Sequence, residues 1–181
     1  MTKAIGIIVA GIALLMAASF VLPTLKTAPT TSLYTSDQYG ITFSYPLAYV
    51  LEEQEVGTAQ RRHYAIALVE RQARLITPEA SEGPPAIAVD VYQNNLDNLS
   101  LEDWIRGTSN SNFKLSPDGR LASVTVGGVR GFYYRWDGLY RGESYAIPHR
   151  GDIVVFSVTY LEEGDQIRKD FAEVLMSLSL Y

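Results

Sequence analysis

The chain has 181 residues, the length of one domain with a short appendage. Its 20 acidic and 15 basic residues give a formal net charge of −5 at pH 7. That sign disfavours nucleic acid as a partner, because phosphate backbones are bound by basic surfaces. The chain has no cysteine, which excludes disulfides, thiolate metal sites, thiol nucleophiles and a lipid-modified cysteine.

The first feature in chain order is an uncharged apolar run over residues 4–22, between Lys3 and Lys26. A helix rises about 1.5 Å per residue, so a run of this length spans roughly the ~30 Å hydrocarbon core of a bilayer. Its apolar side chains point in every direction around a helix, which suits lipid on all sides. We therefore predict a transmembrane anchor in residues 1–23, with membrane contact through residues 4–22.

A cleaved signal peptide is the alternative reading of the same segment. Ala17, Ala18 and Ser19 are small enough for a cleavage site, but the apolar run continues through residues 20–22, so we favour retention. Residues 24–32 are predicted to form an extended linker. The expected localisation is membrane-anchored with an extracytoplasmic domain, or secreted if the segment is cleaved.

Residues 33–181 are predicted to form one soluble domain that begins with strands. A hairpin with strands at 33–35 and 41–45 is indicated by period-2 alternation around a turn containing Gly40. Residues 50–56 carry three glutamates and are predicted to be an edge strand.

A central strand is predicted at residues 63–70, because the segment is apolar on both faces. Residues 72–85 contain three prolines and a glycine and are predicted to form a loop, followed by a strand at 86–92. Ser100 before Glu102 and Asp103 predicts the cap of a short helix.

Four strands in succession are predicted over the next part of the chain, at residues 121–126, 129–136, 139–147 and 153–160. Gly127-Gly128 and Asp137-Gly138 predict two-residue hairpin turns and therefore antiparallel pairing.

A closing helix is predicted near Asp165, with an apolar stripe facing the sheet. Arg168, Lys169 and Glu173 are expected to face away from that sheet. The elements together predict an α+β domain in which helices flank an antiparallel sheet, preceded by the transmembrane helix.

The run Tyr39-Gly40-Ile41-Thr42-Phe43-Ser44-Tyr45-Pro46 resembles the opening of PsbP-like domains, a family named for an extrinsic subunit of photosystem II. The Leu-Glu-Asp-Trp helix after Ser100, the Val-Thr-Tyr strand end at Tyr160 and the final Leu-Met-Ser-Leu add to a resemblance that covers residues 33–181. It implies an α/β/α sandwich in a family of mostly non-catalytic accessory or binding proteins outside the cytoplasm. No catalytic or ligand residue is carried over by it, and bacterial relatives are often lipoproteins, which the missing cysteine does not match.

Few residues suggest catalysis. Ser144 lies in a Gly-Glu-Ser-Tyr-Ala run that matches a nucleophile elbow only superficially, because its surroundings predict a continuous strand. Glu143 with Asp152 is the other hydrolase candidate, as an acidic pair. His63 and His149 lack the neighbours of a metal site. We expect a non-enzymatic protein with no cofactor and no metal.

The candidate binding surface is an aromatic and basic cluster on two adjacent strands. It consists of Tyr133, Arg135, Tyr140, Arg141 and Tyr145. Because faces alternate along a strand, some of these rings are expected to point outward and bind a glycan or an envelope protein. The leading hypothesis is a membrane-tethered binding or accessory module of the cell envelope. An envelope hydrolase and a structural envelope-assembly protein are the alternatives.

Overall fold

A computed structural model describes residues 30–76, 83–94 and 98–181. The predicted anchor at residues 4–22 and most of the predicted linker lie outside these ranges. Within them, no helix is long and apolar enough to cross a membrane. The anchor therefore stays a prediction.

Ten strands and three α-helices make up the described chain. The strands are β1 (Thr31–Ser36), β2 (Ile41–Pro46), β3 (Tyr49–Glu55), β4 (His63–Glu70), β5 (Ala86–Gln93), β6 (Ala122–Val126), β7 (Val129–Asp137), β8 (Arg141–His149), β9 (Asp152–Tyr160) and β10 (Ser179–Leu180). The helices are α1 (Arg71–Ile76), α2 (Leu101–Gly107) and α3 (Gln166–Ser177), with a 3-10 helix at Phe113–Leu115.

The main sheet has seven antiparallel strands in the order β3-β4-β5-β9-β8-β7-β6. β9 is apolar on both faces and lies at the centre, where two layers cover it. The strand β3, with its three glutamates, is an edge as predicted. A smaller sheet in the order β1-β2-β10 packs on one face.

Two apolar cores lie on opposite faces of the main sheet. On one face, α3 and the small sheet bury Phe43, Phe156 and Phe171. On the other face, α2 and the 3-10 helix pack Trp104 and Phe113 against the sheet. The predicted antiparallel sheet between helices is confirmed.

The predicted helix ends are also present. Ser100 accepts a hydrogen bond from the Asp103 backbone N–H at 3.1 Å, so it caps α2. Asp165 stands at the N-terminal cap position of α3. Its carboxylate accepts hydrogen bonds from the backbone N–H groups of Leu161 and Glu162 and fixes the loop that enters the helix.

Three details of the prediction are wrong. The chain from Arg71 to Ile76 is a short helix, where a loop was predicted. Asp137 belongs to β7 and pairs with Arg141, so the β7–β8 turn has three residues, and Gly138 does not adopt the positive φ of a two-residue turn. Arg168 faces the sheet, because its guanidinium contacts Glu143 of β8.

Candidate functional site

The hairpin of β7 and β8 places the five predicted surface residues on the face covered by α3 or at the hairpin loop. Tyr133 stands directly opposite Tyr145, with their ring centroids 4.9 Å apart. Tyr145 also packs 5.8 Å from the ring of Phe171 in α3. Both tyrosines are half-buried, so they are packing residues of the sheet and helix more than an outward aromatic platform.

A polar network continues from these rings towards α3. The Tyr133 hydroxyl donates to Glu143 Oε2 at 3.1 Å and accepts from Arg135 Nε at 2.8 Å. Arg168 approaches Glu143 with two nitrogens, Nε to Oε1 at 3.3 Å and Nη2 to Oε2 at 3.2 Å. Its Nη1 donates to Glu163 Oε2 at 2.7 Å. Both oxygens of Glu143 are therefore occupied by donors within the chain.

Burial and the hydrogen bonds of this network shift the pKa values of its members. Burial raises the pKa of the Tyr133 hydroxyl above its ordinary value. The hydrogen bond to Glu143 raises the pKa of Arg168, and the hydrogen bond to Tyr133 raises that of Arg135. The guanidinium of Arg168 also lies 4.6 Å from the ring centroid of Tyr160. The network stabilises the docking of α3.

Tyr140 and Arg141 occupy the loop end of the hairpin and differ in what they contact. The Tyr140 hydroxyl donates to the Gly83 carbonyl at 2.8 Å, so this tyrosine holds the segment that leads into β5. Arg141 is exposed and has no ion-pair partner among the described residues. The structure brings Tyr133, Arg135 and Tyr145 together and separates Tyr140 from them.

A cleft of about 250 Å³ lies at this end of the sheet. Arg135 and Arg141 line it together with Asp137, Glu163 and Tyr160. Three exposed leucines are found at the same end, with exposures of 48%, 68% and 59%: Leu115, Leu139 and Leu161. Exposed arginines around a concavity are typical of protein-binding surfaces, where arginine is enriched.

Sequence reasoning missed the leucines and the acidic half of this cleft. Leu139 stands in a tight hairpin loop, where polar residues are usual, and Leu161 follows directly on the last residue of β9. An apolar residue at the tip of a predicted hairpin loop could have been recognised in the sequence as an exposed contact residue. The sheet register is what places Leu161 beside the hairpin, since Tyr160 pairs with Arg141.

The hydrolase candidates do not form a catalytic arrangement. Ser144 is 1% exposed, lies within β8 and accepts a hydrogen bond from Trp136 Nε1 at 3.0 Å. In the sheet register, Glu143 of β8 stands opposite Val158 of β9. Asp152 is six residues from Val158, at the other end of β9. At about 3.3 Å per residue, that separation is roughly 20 Å, too far for two carboxylates to act on one bond.

The two histidines are far from the cleft. His63 Nε2 lies 2.6 Å from Asp90 Oδ1, and its ring stacks on Tyr92 at 4.2 Å. His149 has its Nε2 buried without a hydrogen-bond partner in the described part of the chain. Residues 30–76, 83–94 and 98–181 contain no group of three or more His, Asp or Glu side chains placed to hold a metal.

A larger cavity of about 330 Å³ lies between the start of α3 and the start of β3. Tyr49 donates to Asp170 Oδ2 at 2.7 Å, and Gln166 Nε2 donates to Oδ1 at 2.8 Å. Burial and the hydrogen bond to Asp170 raise the pKa of Tyr49 far above its ordinary value. Both Asp170 oxygens accept hydrogen bonds within the chain. We therefore assign these side chains to the packing of α3 on β3 and not to a binding site.

The architecture is that of the PsbP-like fold. The chain is similar in structure to the cyanobacterial PsbP protein CyanoP of Synechocystis sp. PCC 6803, with a TM-score of 0.56 and 12% sequence identity over 86% of this chain and 95% of that one. No family model matches the chain, and no curated protein does. The resemblance noted in the sequence is thus supported by the fold.

Proposed function

We propose that this chain is a non-enzymatic accessory module that binds a partner protein through the cleft lined by Arg135 and Arg141. In this proposal residues 4–22 tether the domain to a membrane and the domain works outside the cytoplasm. The single observation that carries the binding role is the cleft itself, with exposed arginines at its walls and exposed leucines at its edge. A non-catalytic role agrees with the burial of Ser144 and with the distance between Glu143 and Asp152.

A protein partner is favoured over a glycan by the placement of the tyrosines. Glycan binding relies on aromatic rings that offer an open face, and Tyr133 and Tyr145 pack on each other and on Phe171. The cleft instead exposes guanidinium groups and aliphatic side chains, which suit a polypeptide with both charged and apolar residues.

The binding role is tested by affinity capture of the full chain after chemical crosslinking in its membrane, so that a weak complex survives solubilisation. The test variant is Arg135→Gln/Arg141→Gln, and the matched control is Arg120→Gln/Arg130→Gln, which removes two exposed arginines outside the cleft. We expect the control to recover the same partner as the unmodified chain and the test variant to lose it. Equal recovery by both variants contradicts the assignment of the cleft.

The membrane role is tested separately by fractionation. The full chain is expected to stay in the membrane pellet after an alkaline carbonate wash, and a variant that lacks residues 4–22 is expected to leave it. External protease should digest the domain in intact spheroplasts. Release of the full chain by carbonate, or protection of the domain from protease, contradicts the tether or its orientation.

A further inference from the structure

The loop that joins β7 to β8 presents an apolar tip between two opposite charges. Leu139 at the centre of this loop is 68% exposed. Asp137 and Arg141, on either side of it, stand directly opposite each other in the sheet register. In the described residues neither side chain has an ion pair or a side-chain hydrogen bond. The tip therefore offers one leucine, one free anion and one free cation.

The neighbouring surface also carries both positive and negative charges. Arg135 and Glu163 line the same cleft, and the charge of Glu163 contributes to the raised pKa of Arg135. Leu115 packs beside the loop, since a Cβ on Gly138 would lie 3.5 Å from Leu115 Cδ1. A partner of a single charge sign would meet repulsion at part of this surface, whereas a partner with both signs would not.

We propose that the protein bound by this tip is a second copy of the same chain. A two-fold interface brings one surface patch against itself, so it needs a patch that is complementary to its own copy. A two-fold axis that passes beside the loop at right angles to the plane of the hairpin exchanges the positions of its two arms. Asp137 of each copy then faces Arg141 of the other, and Leu139 packs on its own counterpart. The inference rests on the proposed function, because it names the partner at the same end of the sheet.

Such a contact is small. A hairpin tip and its flanking leucines bury less than the ~1,200 Å² typical of stable complexes, so the dimer is weak in dilute solution. Confinement of both copies to one membrane would raise their effective concentration and favour the contact. Self-association is accordingly expected for the full chain in membranes and not for dilute protein.

The experiment uses the absence of cysteine from the chain. Leu139→Cys in the full chain, in membranes, places a thiol at the proposed two-fold axis, where it meets its own copy. Met176→Cys is the matched control, because Met176 is 78% exposed on the outer side of α3. Under mild oxidation we expect a disulfide dimer for Leu139→Cys that is several-fold more abundant than for Met176→Cys. Equal yields overturn the proposal.

A charge exchange tests the pairing itself in the Leu139→Cys background. Arg141→Asp puts two carboxylates together at each of two symmetric contacts and should reduce self-association roughly two- to thirtyfold, as expected for exposed ion pairs. Adding Asp137→Arg restores opposite charges and should restore the dimer. Failure of restoration, with an unchanged thermal unfolding midpoint, overturns the two-fold arrangement.

The outcome is separable from that of the proposed function. If a different protein is captured through Arg135 and Arg141 while Leu139→Cys gives no dimer above the control, the binding surface stands and the second copy is wrong. If neither is seen, both the surface and the inference are wrong.

Discussion

Arg168 of α3 and Glu143 of β8 form a two-pronged ion pair that fastens the last helix to the sheet, with N–O distances of 3.3 and 3.2 Å. The glutamate is 7% exposed, so its charge is largely removed from water and needs these donors. This pair fixes the wall of the cleft, because Glu163, in the loop before the helix, is held by the same guanidinium. This one ion pair therefore contributes both to the stability of the domain and to the shape of the cleft.

Glu143→Gln is expected to destabilise the domain. It leaves the partly buried Arg168 with Glu163 alone, which we expect to lower the free energy of unfolding by about 1–3 kcal/mol, less than a fully buried pair because Arg168 keeps some contact with water. Urea unfolding measures the effect. Glu102→Gln is the control, since Glu102 pairs with Arg106 at an exposed i,i+4 position and contributes less than about 0.5 kcal/mol. Equal losses in the two variants would show that the buried pair has no special role.

Gly142→Ala is expected to disturb the floor of the cleft. A Cβ at this position would overlap the indole ring of Trp136, and Trp136 also donates to Ser144 within the core. We expect a loss of about 1–3 kcal/mol in unfolding free energy and a shift in tryptophan fluorescence, because overpacking displaces the ring. Gly107→Ala is the matched control, with no atom within 4 Å of its Cβ position. Native-like fluorescence in Gly142→Ala would contradict the packing described.

The domain is expected to unfold in alkali. Burial is the first cause of the raised pKa values of Tyr34, Tyr49, Tyr92 and Tyr134. In the unfolded chain the tyrosine pKa is about 10, so the stability from these neutral hydroxyls is present below that pH and is lost as pH rises above it. Tyrosinate absorbance should therefore appear together with the loss of circular dichroism. Ionisation of all 12 tyrosines near pH 10 with the fold intact would contradict this.

The strands could be predicted from the sequence where local chemistry determines them. Gly127 and Gly128 have the positive φ values of 55° and 82° that a two-residue hairpin needs, and the alternation around Phe43 identified β2. Asp137 and Gly138 do not form the predicted two-residue turn, because Asp-Gly also occurs in longer loops. The strand β10 has two residues, too few to show any period, and it exists through pairing with Ile41 and Thr42.

The candidate surface could be predicted only in part, because composition does not reveal which face of a strand is covered. Tyr133 and Tyr145 were predicted to crowd two strands, and they do, but α3 covers their face. Arg168 follows Ile167 at the border of the apolar stripe, so a helical period alone does not decide whether it points to solvent or to Glu143. The cleft depends on the sheet register, which sets Tyr160 opposite Arg141 and so brings the segment after β9 to the β7–β8 loop.

The most direct measurement is site-specific photocrosslinking of the full chain in the cells that express it. A benzophenone side chain at position 161, on the edge of the cleft, is compared with one at position 176, which is exposed on α3 away from it. A binding surface at this end of the sheet predicts a discrete crosslinked species for position 161 and not for position 176, and its loss in Arg135→Gln/Arg141→Gln. Crosslinks that are absent or equal at the two positions would contradict it.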